Sequence, residues 1–312
     1  MSGAADAGLL VIDKPAGLTS HDVVERVRDI LEVRAGHAGT LDPQATGVLL
    51  VCLGSATRLA RFLQGHDKVY EGIVKLGWAT DTYDGDGEPL ADPVEPPPLD
   101  RDAVSEALQR FVGTQQQTPP AYSAKKVRGQ PAYRRARRGE AVAPNPVEVV
   151  IYEAELIEVK NGEIHLRVHC GAGTYVRTLA HDLGAALGCP AHLAGLRRTR
   201  SGPFGLDGAV GWATVEAADA GELRRRMIAA ADMLPGWPAA VVNREGVAAV
   251  ANGRMLEAGW IIERRPGEPL TAATPDSAAA GWVRVLDAAG GAMIAAGEMV
   301  PGGLVQPRIV LR

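Results

Sequence analysis

One carboxylate stands in a glycine-rich stretch directly before an apolar run. Residues 36–50 read GHAGTLDPQATGVLL, in which Asp42 is the single acid among three glycines. A carboxylate can act as a nucleophile, a base or an electrostatic stabiliser. Glycine lets a bulky ligand approach the backbone, and Pro43 fixes the direction of the chain after Asp42. The pattern predicts a catalytic aspartate in a loop for a large ligand, and an aspartate that only caps a turn is an equally good interpretation.

The stretch does not fit the common phosphate-binding and hydrolytic motifs. A P-loop needs a lysine after its last glycine, and none follows Gly47. A dinucleotide fingerprint places its glycines between a strand and a helix, whereas these glycines precede a strand. The sequences GxSxG and HExxH are absent. His165 and His169 could share one strand face, but two ligands do not make a metal site, so ordinary packing is favoured and no metal is predicted.

Charge is distributed in opposed blocks along the middle of the chain. The net charge is −4, although nucleic-acid-binding domains are often strongly basic overall. Nine acids and one arginine lie between Asp81 and Glu106. Residues 122–139 hold no acid and seven basic residues, namely Lys125, Lys126, Arg128, Arg134, Arg135, Arg137 and Arg138. This segment predicts a localised anion-binding face, with a solvated charged surface as the alternative.

Composition is that of a globular protein with a large core. The chain has 312 residues, of which 46% are hydrophobic and 22% charged. No apolar run reaches the roughly 18–20 residues of a membrane helix, and the N-terminus lacks a secretory pattern, so we expect a cytoplasmic protein. The three cysteines, Cys52, Cys170 and Cys189, are far apart, which predicts buried thiols rather than disulfides or a zinc site.

Periodicity places the Asp42 stretch between a helix and a strand. Apolar residues at 23, 24, 27, 30 and 31 predict a helix that Thr19 or Ser20 caps. Residues 48–53 predict a strand, and Ser55 could begin a helix that runs to about Gln64. A second strand is predicted over 69–76, followed by an acidic loop rich in glycine and proline.

The rest of the chain mixes helices with hairpin-like strands. A helix is predicted from Asp100 to Gly113, strands over 147–159 and 163–170, and a helix that Gly188 ends. A further helix is predicted over about 214–230, and short apolar runs separated by glycine follow residue 238. This mixture indicates an α+β fold rather than a regular βαβ alternation.

Six segments in order resemble the motifs of one family, the TruB family of bacterial tRNA pseudouridine-55 synthases. They cover roughly the first 230 residues, and six motifs in the family order are highly specific. The segments are DKPAGLTSHDVV (13–24), GHAGTLDPQATGVLLVCLGSATRL (36–59), DKVYEGIVKLGWATDTYDGDG (67–87), TPPAYSAKKVRGQPAYRRARRGE (118–140), GTYVRTLAHDLG (173–184) and HLAGLRRTRSG (192–202).

The resemblance implies a fold, a domain division and a reaction. The fold would be that of pseudouridine synthases, a mixed and mainly antiparallel sheet flanked by helices and loops. Residues 1–235 would form the catalytic domain, with an RNA-clasping insertion at about 118–145, and residues 236–312 a small β-rich PUA-like domain. The enzyme would cleave the bond between ribose and uracil nitrogen 1 and rejoin ribose to carbon 5. That isomerisation implies no cofactor and no metal.

The resemblance also implies a catalytic set and a pocket. Asp42 would be the essential aspartate, acting covalently or by removing a ribose proton. Tyr70 would stack on the target base and assist proton removal from carbon 5. Arg177 would pair with the catalytic aspartate and lower its pKa, because a nearby cation favours the charged form. Tyr175 and Leu196 would line the pocket.

The remaining implied residues concern RNA. The target uridine must leave the folded T-loop, and His37 would occupy the space that it vacates. Asp84 would contact flipped nucleotides, and Lys14 and Lys68 would make phosphate or structural contacts. The basic residues from Lys125 to Arg138 would close over the stem-loop and neutralise phosphates.

The predicted partner is the T-arm of tRNA, bound by a monomer without a guide RNA. Two other hypotheses stay open at this point. The chain could be an RNA-binding module, such as a tRNA-folding chaperone, in which catalysis is secondary. It could also be a pseudouridine synthase that acts on another RNA or needs a guide partner.

Overall fold

The computed structural model describes residues 7–121, 126–127, 130–131, 144–267 and 281–311. The chain divides into two compact units, Met1–His66 with Ser201–Arg312, and Asp67–Arg200. We call these the outer-segment unit and the middle unit, because the first joins both ends of the chain and the second is its central part.

Helices and strands follow one another without a regular alternation. The helices of the described part are α1 (Ser20–Leu31), α2 (Ala60–Gln64), α3 (Arg101–Gln109), α4 (Val176–Ala186), α5 (Trp212–Ala217), α6 (Ala220–Arg225) and α7 (Arg244–Ala251). The strands of the first two thirds are β1 (Gly8–Lys14), β2 (Ala35–His37), β3 (Thr46–Leu53), β4 (Lys68–Leu76), β5 (Gly113–Gln117), β6 (Lys126–Val127), β7 (Gln130–Pro131), β8 (Val147–Lys160), β9 (Glu163–Cys170) and β10 (Ala191–Ser201). Those of the last third are β11 (Phe204–Gly205), β12 (Val210–Gly211), β13 (Ile228–Ala229), β14 (Ala239–Val242), β15 (Ile261–Arg265), β16 (Trp282–Asp287), β17 (Met293–Val300) and β18 (Leu304–Val310). None of the helices in the described ranges is long and apolar enough to cross a membrane.

The first half of the outer-segment unit is built on the β1–β3 pair. These strands run antiparallel from Gly8 opposite Leu53 to Lys14 opposite Gly47. Strand β2 pairs with β3, and β12 and β13 pair with β1. Nearly every residue of β1 and β3 is buried, and for β3 this confirms the strand predicted from the apolar run at 48–53. The Asp42 loop therefore leads from one short strand into a fully buried one.

Helix α1 confirms the predicted amphipathic segment. Its buried face includes Val23, Val24, Val27 and Leu31. Of the two predicted caps, Thr19 is the one used, because its hydroxyl accepts from the amide of Asp22 while the Asp22 side chain accepts from the Thr19 amide. This reciprocal pair satisfies two of the amides that a helix leaves unpaired at its start.

The last third of the chain is β-rich, as predicted. Its strands lie in the order β15-β14-β16-β17-β18, with α7 packed on the sheet. The same apolar cluster that holds residues of β1 and β3 continues into this sheet. Phe62 packs edge-on against Trp237 and Trp282, with ring centroids 4.6 and 4.8 Å away, and the Arg61 guanidinium lies over the Phe62 ring. The domain boundary near residue 235 and the PUA-like character stay predictions.

The middle unit is a sheet in the order β10-β4-β9-β8-β5, with α3 packed on β8 and α4 on β4. Strands β4 and β9 are antiparallel from Lys68 opposite Cys170 to Lys75 opposite Glu163. Gly77 has φ +112°, which glycine adopts without strain, and β4 ends just before it. The α+β expectation is confirmed by this mixture of antiparallel pairs and packed helices.

The helix predicted over 214–230 is wrong. The structure has two short helices there, α5 and α6, and residues 228–229 form β13. Ala218 is extended, and the Asp219 carboxylate accepts from the Glu222 amide, so that it starts a new helix. An alanine-rich pattern favoured one helix, but a capping aspartate in its middle divides it.

All three cysteines lie in the described part and are buried and unpaired in disulfides, as predicted. Burial raises the pKa of Cys52 and of Cys170 to about 12. A thiol whose pKa is raised so far is protonated at neutral pH and has little nucleophilic character.

Candidate active site

The loop that carries Asp42 is held on both sides of this residue. The Leu41 amide donates to Ser20 Oγ over 2.9 Å, and the Ser20 hydroxyl donates to the Leu41 carbonyl over 3.0 Å. After Asp42, the Pro43 carbonyl accepts from Lys14 Nζ and from the Gly17 amide, each over 2.9 Å. The half-buried Asp42 carboxylate is therefore presented by a fixed backbone.

We call the contacts that Ser20, Lys14 and Gly17 make with the backbone on either side of Asp42 the clamp, and Lys14 is its central residue. Its side chain is fully buried, and its ammonium also donates to the carbonyls of Pro15 and Leu18, over 2.8 and 2.6 Å. A buried ammonium is costly unless its hydrogens find acceptors, and three carbonyl oxygens supply them here. Of the phosphate and structural alternatives predicted for Lys14, this geometry favours the structural one.

In the middle unit, Tyr70 lies in β4 opposite Val168 and is 9% exposed. Lys68 precedes it by two residues, so that both side chains leave the same face of the strand. Lys68 is also buried, and burial, with the nearby Arg198 cation, lowers its pKa to about 8. A lysine in this position is poorly placed to meet solvent, and its predicted contact with phosphate stays a prediction.

Arg177 and Asp84 form an ion pair in the middle unit. Arg177 Nη1 lies 3.0 Å from Asp84 Oδ2 and 3.3 Å from the Thr82 carbonyl. Both side chains are largely buried, with 10% and 19% exposure. The other carboxylate oxygen, Oδ1, accepts from Thr82 Oγ1 over 2.6 Å and from the Asp86 amide over 3.1 Å. Asp84 is therefore fixed within its own turn while it orients the guanidinium.

Tyr175 and Gln117 fix the start of the helix that carries Arg177. The Tyr175 amide donates to Gln117 Oε1 over 2.8 Å, and Gln117 Nε2 donates back to the Tyr175 carbonyl over 3.0 Å. One residue further, the Thr118 carbonyl accepts from Thr178 Oγ1 over 3.2 Å. Arg177 therefore leaves the first turn of a helix that β5 anchors at its N-terminus.

Two family models match the chain. Residues 28–176 match the TruB family pseudouridylate synthase N-terminal domain, and residues 177–234 match the tRNA pseudouridylate synthase B C-terminal domain. A protein of Solibacter usitatus named tRNA pseudouridine synthase B is 42% identical, over 97% of this chain and 99% of its own length. The chain belongs to the TruB family of pseudouridylate synthases. Its reaction is therefore the isomerisation of uridine in RNA.

Other relatives within and near the TruB family agree with this assignment. A tRNA pseudouridine synthase B of Pseudomonas aeruginosa is 39% identical over 98% of this chain and 96% of its own length. Among solved structures, one of a Cbf5-Nop10-Gar1 complex superimposes with a TM-score of 0.71 at 26% identity, over 99% of this chain and 86% of that one. The predicted fold class is confirmed by this likeness.

The remaining predicted residues are placed as follows. His37 ends β2, where it pairs opposite Val51, and it is half-buried. Leu196 lies in β10 and is half-buried. The roles predicted for both at the RNA stay predictions. Lys126 lies in the short β6–β7 pair, opposite Pro131. The other six basic residues lie outside the described residues, namely Lys125, Arg128, Arg134, Arg135, Arg137 and Arg138.

The structure thus brings together part of the predicted set. Arg177 and Asp84 form an ion pair in the middle unit. Tyr70 belongs to the same unit. The pairing of Arg177 with Asp42 stays a prediction. No three histidine, cysteine, aspartate or glutamate side chains of the described ranges gather as a metal site.

Sequence reasoning missed two features of this site. It did not find Gln117, because a glutamine that caps a helix from a distant strand has no local signal. It assigned Asp84 to RNA and not to Arg177, although a buried arginine has five donors and needs more than one acceptor. The need of Arg177 for acceptors was the signal that could have indicated Asp84 as its partner.

Proposed function

We propose that the chain converts uridine 55 in the T-loop of tRNA to pseudouridine. Full-length likeness to proteins named tRNA pseudouridine synthase B supports this substrate. The structural observation that carries the proposal is the clamped Asp42 loop. Backbone on both sides of one half-buried carboxylate is fixed by side chains of the 13–24 segment, as a reaction at one defined atom of the ribose requires.

Asp42 starts the reaction in this proposal. It attacks ribose carbon 1′, or removes a ribose proton, and the bond from carbon 1′ to uracil nitrogen 1 breaks. The released base turns and carbon 5 bonds to carbon 1′. In the covalent route this step breaks the bond between Asp42 and carbon 1′, and in the other route Asp42 returns the abstracted proton to the ribose. The proton on carbon 5 then leaves and nitrogen 1 gains one, so that the product is an isomer of the substrate.

Tyr70 and Arg177 assist Asp42. Tyr70 stacks on the uracil and helps to remove the carbon 5 proton, although an ordinary phenol, with a pKa of about 10, is a weak base at neutral pH. The Arg177 cation keeps the Asp42 carboxylate ionised, and its own orientation comes from Asp84. Tyr175 and Leu196 line the pocket for the base.

Before Asp42 can react with it, the uridine must leave the folded T-loop. Unstacking a base costs a few kcal/mol, and His37 fills the space that the base leaves. The basic residues from Lys125 to Arg138 neutralise phosphates of the stem-loop, which is recognised by its shape and stacking. The chain acts as a monomer, without a guide RNA, and since its substrate is tRNA we place it in the cytoplasm.

Incubation with an unmodified tRNA transcript, followed by mapping of pseudouridine, tests the proposal. We expect pseudouridine at position 55 alone. A transcript with cytidine at that position is the control and should yield none. Modification at another site, or only with an added guide RNA, would contradict the proposal. Tight binding of the transcript with no pseudouridine would instead indicate an RNA-folding protein.

A further inference from the structure

The acidic loop between β4 and α3 is pinned in an unusual backbone conformation. Tyr83 has φ +64°, in the left-handed region that bulky side chains rarely adopt. Such a conformation persists where the surrounding contacts determine it, and it is found frequently at functional sites. Tyr83 directly precedes Asp84, the acceptor for Arg177.

Hydrogen bonds fix this turn on one side. The Tyr83 carbonyl accepts from the Leu193 amide over 3.0 Å, and the Gly85 amide donates to the Leu193 carbonyl over 3.1 Å. Thr80 Oγ1 donates to the Asp84 carbonyl over 2.7 Å. These contacts hold the backbone of the turn against β10, but none of them reaches α4.

The Tyr83 side chain supplies an aromatic contact with α4. Its ring stacks on the His181 ring, with centroids 4.1 Å apart and planes inclined by 13°. His181 follows Arg177 by four residues in α4, so that the two side chains lie on the same face of the helix. The loop and the helix therefore meet through this stack as well as through the contacts of Arg177 with Asp84 and with the Thr82 carbonyl.

The His181 ring lies against the Tyr83 ring. Its Nδ1 atom is buried, and within the described ranges no hydrogen-bond partner lies near it. Stacked aromatic rings prefer a defined spacing and orientation, which a contact between aliphatic side chains does not impose. The stack is therefore suited to fixing a distance between loop and helix.

We propose that Tyr83 and His181 are positioning residues that hold Asp84 at the distance its ion pair with Arg177 requires. The proposal rests on the proposed function in one respect, the catalytic role of Arg177. A tyrosine in the left-handed region places its ring toward α4, and the hydrogen bonds to Leu193 keep it there. Neither residue contacts the substrate in this proposal.

Variants of His181 separate stacking from other effects. In His181→Ala, we expect the single-turnover rate on tRNA to fall about 3- to 10-fold, the range expected for loss of one aromatic pair. The dissociation constant for tRNA should stay unchanged. In His181→Phe, which restores a flat ring, the rate should return to that of the wild type. Equal loss in both variants, or a loss confined to binding, would overturn the proposal.

Variants of Tyr83 separate stacking from backbone strain. Tyr83→Gly suits the positive φ and should fold at least as well as the wild type, yet it removes the ring. We expect it to lose rate as His181→Ala does, at an unchanged unfolding midpoint, whereas Tyr83→Phe should keep the rate. A Tyr83→Gly protein as fast as the wild type would refute the positioning role.

Amide hydrogen exchange gives a readout that does not depend on turnover. The amides of Gly85 and Asp86 should exchange about 10-fold faster in His181→Ala than in the wild type, and at the wild-type rate in His181→Phe. Equal exchange in all three proteins would show that the stack does not hold the loop. If the wild type made no pseudouridine, the proposed function would fail, and the exchange rates would still decide the proposal about the stack.

Discussion

Arg177 donates to two acceptors of a single turn, Asp84 Oδ2 at 3.0 Å and the Thr82 carbonyl at 3.3 Å. The two partners of the ion pair lie 93 residues apart in the chain. Loop and helix must therefore fold together before the guanidinium has a defined direction. In the proposed function, the direction of the guanidinium determines how strongly Arg177 favours the ionised form of the Asp42 carboxylate.

Removal of the Asp84 charge tests this dependence. In Asp84→Asn we expect the single-turnover rate to fall by about 10- to 100-fold, because an oriented cation loses its charged partner. Stability should also fall, by roughly 1–3 kcal/mol, because a largely buried guanidinium loses a charged hydrogen-bond acceptor. Single-turnover kinetics and urea unfolding measure the two effects. Asp86→Asn changes an exposed acid of the same loop and should alter neither quantity.

Substitution of Asp42 tests the assignment of the catalytic carboxylate. We expect Asp42→Asn to lower turnover by about 10³-fold or more, as removal of a nucleophile does in other enzymes. Binding of tRNA should stay close to that of the wild type, since the substitution keeps the shape of the side chain. Asp29→Asn, on the exposed side of α1, is the matched control. Near-normal turnover of the Asp42→Asn protein would remove Asp42 from the mechanism.

Substitution of Lys14 tests whether the clamp on the Asp42 loop stabilises the fold. Lys14→Met keeps most of the side-chain volume and removes the donor for the carbonyls of Pro15, Leu18 and Pro43. We expect a loss of about 2–3 kcal/mol in the free energy of unfolding, since three carbonyl oxygens lose hydrogen bonds from a charged donor. Chemical denaturation measures it, with the exposed Lys160→Met as control. An unchanged stability would contradict the structural role.

The lowered pKa of Lys68 predicts that the free energy of unfolding increases with pH over a defined range. Its pKa is lowered to about 8 in the folded protein, against 10.5 in an unfolded chain. The unfolded state therefore binds more protons between these values, and stability should rise with pH across this window. The gain should reach up to about 3 kcal/mol and be absent from Lys68→Met. Urea unfolding at intervals from pH 7 to 10.5 measures it, and parallel curves for the two proteins would contradict the expectation.

The basic segment is tested through salt. Replacing Arg134, Arg135, Arg137 and Arg138 by glutamine should make tRNA binding weaker and its dependence on salt less steep. The slope of log affinity against log salt should decrease by up to about 3, if each arginine contacts one phosphate. Titrations between low and moderate salt measure the slope, with Arg225→Gln on α6 as control. An unchanged slope would exclude this segment from the binding face.

Local signals account for the parts of the fold that the sequence predicted well. The alternation in β9, the apolar stripe of α1 and the buried run of β3 each lie within one element. The helix predicted over 214–230 failed, because the Asp219 cap competes with a weak alanine-rich preference. At the site, the motifs in the sequence predicted that Asp42 lies in a loop and that Arg177 lies in a helix, as the structure shows. The clamp from Lys14 to Pro43 spans 29 residues, and only the folded chain shows it.

Phe62 lies in a buried apolar cluster to which residues beyond 235 also contribute, so that a chain shortened there would lose part of its core. Trp237, Met293 and Ile309 belong to the same buried cluster as Leu9 and Val48. A protein that ended at residue 235 would therefore carry an open apolar face where those three side chains had been. Residues 236–312 therefore contribute to the buried core that β1 and β3 share. A fragment made without these residues would be expected to aggregate, whatever part they play with RNA.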